Sequence, residues 1–145
     1  DRKIYMAISD TGRGFLQSWN ETEKDIEKIE DEAKKREEKE AVEAAERLLL
    51  DGRKPKNELE AILCGLNKRK TSKIYGLSSV IKETLKSNGL IRIHSNNVQM
   101  IFTPKWKDAI LEQPRTLMQN YGFQKYNTIG DLEFKGAHIE IEIPF

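Results

Sequence analysis

Cysteine is almost missing from this chain: of 145 residues, Cys64 alone carries a thiol. An internal disulfide is excluded, and such usage suits a reducing, cytoplasmic setting. Proline is scarce at 4 residues, and aromatic residues make up 8%. No apolar run approaches the length of a membrane span and no signal-peptide pattern opens the sequence, so no membrane partner is expected. Net charge is nearly absent too. Twenty-five Lys and Arg against 24 Asp and Glu leave +1, which argues against a global pull toward nucleic acid or anionic lipid.

What the chain has in quantity is charge of both signs, 34% of residues, beside 37% hydrophobic residues. That balance suits one ordinary domain, large enough to bury a core, with much of the charge on exposed helix. The sequence opens on Asp1, nearly inside its first strand, and is expected to be a fragment of a longer protein.

The pattern predicts a strand over 3–9 and a loop over 10–14. Residues 20–51 are a dense run of Glu, Lys, Ala and Leu without Pro or Gly, and predict one long charged helix. Its apolar residues form a thin, broken stripe, so the helix is expected to project into solvent or to pack along one narrow side. Gly52 and Pro55 end it. A short helix over 57–66 follows, with Leu59, Ile62 and Leu63 at core-facing spacing. After a basic loop, Gly76-Leu77 opens a helix that Asn88-Gly89 stops. Two strands, 90–95 and 98–103, are expected as a hairpin around Asn96-Asn97, because Asn tolerates the positive φ of a two-residue turn. Short helices are expected over 106–112 and 115–121. In 137–143, Ile139, Ile141 and Ile143 alternate with His138, Glu140 and Glu142, the mark of a strand with one face in the core. The expected class is α+β, a two-layer sandwich with a mixed sheet covered by helices on one face.

The most informative stretch is Ile4-Tyr5-Met6-Ala7-Ile8-Ser9-Asp10-Thr11-Gly12-Arg13-Gly14-Phe15. An apolar strand ends in a carboxylate and then in two glycines separated by one residue. A carboxylate at a strand end, followed by backbone free to take φ > 0, is a means of gripping a nucleotide base closely. ATP is the first ligand this suggests. On its own the stretch is better read as a strand-to-helix turn, and a second segment reverses that preference. In that segment Gly76-Leu77 starts an amphipathic helix, Asn88-Gly89 stops it, and the strand that follows ends in Ser95.

That order resembles the glycine boxes of the Bergerat-fold ATPases, the superfamily of type II topoisomerases, mismatch-repair ATPases and sensor histidine kinases. Asp10-Thr11-Gly12-Arg13-Gly14 stands where the family has its first box, and the terminal Lys135-to-Pro144 run looks like its closing strand. Glu60-Ala61-Ile62 and Thr71-Ser72-Lys73 also look like a branch of predicted bacterial ATP-binding proteins. The resemblance implies a cytoplasmic, prokaryotic ATPase or kinase-like protein whose Bergerat domain is incomplete at the N-terminus and enlarged by a charged helical insertion over about 20–56. It implies that Asp10 accepts a hydrogen bond from the adenine amino group, and that Gly12 and Gly14 let the backbone approach base and sugar. Ser72 and Lys73 in the lid, with Gly76 and Leu77 at the helix start, would meet the phosphates. Mg²⁺ is expected in the full-length protein. The family's upstream helix, which supplies a metal-holding Asn or catalytic Glu, has no room before Asp1, so no catalytic or metal residue is assigned.

This chain also departs from the family. Ser72 and Ile74 occupy positions where glycines are usual, and Ala137 stands where many members have a Thr that reaches adenine through water. A second reading is therefore a degenerate pseudo-ATPase acting as an interaction module, with a protein partner or dimerisation through residues 20–50. A third is a histidine kinase catalytic domain, although no phospho-acceptor helix is present. The basic run Lys68-Arg69-Lys70 with Lys73 reads as a solvated loop rather than a nucleic-acid site, and within a lid its specific partner would be the triphosphate. His94 and His138 have no Cys or carboxylate at ligand spacing, which argues against zinc.

Overall fold

Strand alternation organises the molecule. The computed structural model describes residues 2–10, 12–68, 77–113, 115–116 and 128–145. Within them, β1 (Lys3–Asp10), β2 (Leu90–Phe102) and β3 (Thr128–Pro144) form one sheet in the order β1-β3-β2. Ile141 pairs with both Met6 and Ile91, and Ile139 with both Ile8 and Ile93. Side chains alternate along a strand, so these rows share one apolar face. The other face is polar: Glu142 lies 2.5 Å from Lys3, and Arg92 lies 3.7 Å from Glu140.

Two expectations about the sheet need correction. It is antiparallel among the described residues, not mixed. β1 and β2 do run in the same direction, but β3 inserts between them, opposed to both. The hairpin at Asn96-Asn97 is not formed either. β2 runs unbroken from Leu90 to Phe102, with register shifts between Ser95 and Asn96 and between Asn96 and Val98. Asn96 does take a positive φ, +49°, but in a bulge rather than a turn. Both halves of the strand find ladder partners on the long β3, and Ile91, Ile93, Val98, Met100 and Phe102 are all fully buried.

The helices are α1 (Gly14–Glu27), α2 (Glu32–Leu50), α3 (Glu58–Asn67), α4 (Leu77–Lys86) and α5 (Lys107–Glu112), with a 3₁₀ turn, Pro104–Trp106, before the last. The single helix expected over 20–51 is therefore two. Asp31 makes the break: its carboxylate accepts from the backbone N–H groups of Ala33 and Lys34 at 2.9 and 3.1 Å. Such an N-cap is worth about 1 kcal/mol. Folding back lets Trp19, early in α1, donate its indole N–H to Glu46, late in α2, at 2.9 Å. The pair does not project into solvent, because Trp19, Ile26, Val42, Ala45, Leu49 and Leu50 join the core cluster. Asn57 caps α3 by accepting from the Glu60 N–H at 2.9 Å. Glu60 in turn binds Arg53 through two hydrogen bonds of 2.9 and 2.6 Å, which hold its carboxyl below the usual range.

Helices α3 and α4 pack on β2, and α1 on β3. Ile62, Leu63, Leu66, Ile81 and Leu85 meet the apolar strand residues there. Cys64 is fully buried among them, and burial pushes its thiol up to about 12. No described helix is long and apolar enough to cross a membrane. The helix expected over 106–112 is present as α5, and most of the one expected over 115–121 lies outside the described residues.

Candidate functional site

β1 ends at Asp10, whose ladder partner is Ala137 on β3. The chain then passes Gly12 and enters α1 at Gly14, with φ of +74°. A Cβ at position 14 would lie 2.6 Å from Asn96 Nδ2 and 2.9 Å from Glu58 Oε1. Glycine is thus required there twice, by conformation and by space. Beside the loop lies a hollow of about 600 Å³, within the range of small-molecule pockets. Gly12, Arg13 and Gly14 form one wall, Phe15 and Ser18 of α1 a second, and Ala137 and Ile139 of β3 a third. Arg13 is its one charged group and is tied back to Glu21 on α1. Gln17, and then Arg13, hold the Glu21 carboxyl below its ordinary value.

Behind the loop sits a carboxylate. Glu58, the first residue of α3, is 4% exposed. Its Oε1 accepts from the Phe15 N–H at 2.6 Å and from the Ser95 hydroxyl, while Oε2 accepts from the Leu16 N–H at 3.2 Å and from Asn96 Nδ2 at 3.1 Å. The first turn of a helix carries unpaired N–H groups and partial positive charge, so this is an anion site filled by the protein's own acid. Asn96 Oδ1 completes the link by accepting from the Gly136 N–H at 3.4 Å. Three segments of the chain, α3, α1 and β2, meet at this one group, and β3 is joined to it through Asn96.

The structure brings Gly12 and Gly14 together with Ala137, and places Asp10 across the ladder from Ala137. Ser72, Lys73 and Gly76 lie outside the described residues. Leu77 opens α4 and packs against the core, and it is not among the residues lining the hollow. Lys68, at the start of the basic run, is paired with Glu38 at 3.0 Å.

Sequence reasoning missed Glu58, Ser95 and Asn96 as a unit. The available signal was the spacing 58, 62, 66, which puts an acid on the same helical stripe as the core residues Ile62 and Leu66. An acid on a core stripe needs donors, and here it has four.

On the outer sheet face the Ser9 hydroxyl meets His138 Nδ1, and His138 Nε2 lies 3.1 Å from Glu140. The chain of groups has the composition of a hydrolytic triad, but it lies on an open face and lines neither hollow. Among the described residues no group of three His, Cys, Asp or Glu could hold a metal ion. A second hollow, about 570 Å³, lies between α1 and α2, with Glu23, Glu27, Glu43 and Glu46 beside Lys35, Lys39 and Arg47. Acids outnumber bases there, so it offers no attraction to a triphosphate.

Comparison of the chain with protein-family models, with curated proteins and with solved structures finds no match.

Proposed function

We propose that this chain is an ATP-binding domain of the Bergerat type, with the adenine end of the nucleotide in the hollow beside Gly12 and Gly14. The observation that carries the reading is the meeting of Gly12, Gly14 and Ala137 in one hollow, from opposite ends of the chain. These are positions that the sequence resemblance relates to the base. The lining suits a base better than a triphosphate, since backbone, Phe15, Ala137 and Ile139 dominate it and its one cation is engaged by Glu21. Helices on the apolar face of the sheet accord with a two-layer sandwich, while the antiparallel strand order departs from the mixed sheet expected of the type. The sequence resemblance assigns the phosphates to Ser72, Lys73 and the start of α4. Binding, rather than turnover, is the activity proposed. No Mg²⁺ ligands are assigned.

Calorimetric titration of ATP into the full-length protein, with and without Mg²⁺, tests the reading. Saturable binding is expected, and Asp10→Ala should weaken it by roughly ten- to a hundred-fold, the worth of one hydrogen bond to a carboxylate. Absence of saturation, or an affinity indifferent to Asp10→Ala, would overturn it.

A further inference from the structure

We infer that Glu58 is a positioning residue of the nucleotide site: it touches no ligand itself, but it holds the glycine loop in the shape on which the base rests. The inference deepens the ATP-binding reading and depends on it. Its ground is the geometry around one buried carboxylate. Phe15 and Leu16, whose N–H groups Glu58 holds at 2.6 and 3.2 Å, directly follow Gly14, and Phe15 itself lines the hollow. Ser95 and Asn96 hold the same carboxylate from the bulge of β2. Asn96 then reaches Gly136, the neighbour of Ala137 on the opposite wall. A single side chain therefore sets the spacing between the wall made by the glycine loop and the wall made by β3.

Two consequences follow from the chemistry. All four groups around Glu58 are donors in these bonds, two to each oxygen. A glutamine of the same shape offers only one acceptor oxygen, so in either orientation two donors face an NH₂ group. Conservative replacement must therefore move the loop. In addition, the N-terminus of α1 already has its anion, so a nucleotide phosphate has no vacancy there and is directed to the far end of the site. Gly14 belongs to the same device, because a Cβ would strike both Asn96 and Glu58.

The experiment compares full-length wild type with Glu58→Gln, and with Ser95→Ala as the milder variant, using adenosine, inorganic tripolyphosphate and ATP as separate probes. Amide chemical shifts of Phe15 and Leu16 report on the loop. Glu58→Gln is expected to shift both amides and to weaken adenosine and ATP by about tenfold, leaving tripolyphosphate unchanged. Ser95→Ala should do the same to a smaller degree, and it keeps the test alive if Glu58→Gln fails to fold. A general loss of structure would weaken all three probes together, and that result overturns the positioning role. Shifted amides with unchanged adenosine affinity overturn it as well, while leaving the ATP reading intact. Failure of wild type to bind ATP brings down the ATP reading itself.

Discussion

β1 and β2 have nearly the same amphipathic pattern and opposite fates. Ile8 pairs with Ile139, which pairs with Ile93, yet Ile8 is 62% exposed and Ile93 is 0% exposed. One row along, Met6 at 48% faces Ile141 at 3%, which faces Ile91 at 0%. Burial deepens from β1 across the sheet because α3 and α4 sit on β2, and β1 has β3 as its main contact. Alternation sorts residues between the faces of a sheet. Where the helices land decides whether a face is covered, and that depends on side chains far away in the sequence.

The sharpest way to test the contrast is chemical. Cys64, buried on α3 with its thiol raised to about 12, should resist a thiol reagent at pH 8, whereas a thiol placed on the uncovered apolar face of β1 by Ile8→Cys should react about a thousandfold faster or more. Mass spectrometry should count one labelled site in the native variant and none in native wild type. Rapid labelling of native Cys64 would show that the helical layer opens readily.

Stability gives a smaller measure of the same difference. Ile93→Ala should cost about 2–5 kcal/mol in urea unfolding, since it leaves a cavity under α3 and α4. Ile8→Ala, with the same chemistry on the same row, should cost less than about 1 kcal/mol. Equal losses would mean that β1 is covered in solution.

The smallest effect separates the two regions by pH. The Arg53 guanidinium keeps the Glu60 carboxyl below its ordinary value, so its stabilisation is present above about pH 4.5 and is lost as pH falls through the lowered value. Lys3, raised by its hydrogen bond to Glu142, behaves in the opposite sense: its stabilisation is present below about pH 10.5 and fades as pH rises through the raised value. In thermal melts, Arg53→Met should reduce the slope of the acid limb and leave the alkaline limb unchanged, and Lys3→Met should do the reverse. Lys3 is exposed, so its limb should be shallow and sensitive to salt.

Much of the fold was legible in the sequence. β1, α3, α4, α5 and the end of β3 follow from periodicity and from their stop residues, Asn88-Gly89 among them. The errors share one cause. Asn96 is tolerant of positive φ by residue type, and it does take that conformation, but a turn and a bulge place the same demand on φ. Only the length of β3 on the far side of the ladder selects between them. The break at Asp31 was hidden because nearly every neighbouring residue is a good helix former, and the reward for breaking lies in contacts such as Trp19 with Glu46. Of the candidate site, the glycine loop was visible as a motif. Glu58 was not, because its meaning depends on donors from α1 and β2.

The sequence by itself determined where β1, α3, α4 and α5 form and the apolar face of each strand, because those follow from local backbone preferences and from spacing. The tertiary structure decided which strand face is covered, where the long charged segment turns back, and that Glu58 closes the N-terminus of α1. Burial and hydrogen-bond satisfaction are properties of several segments at once, and no single stretch of chain contains them.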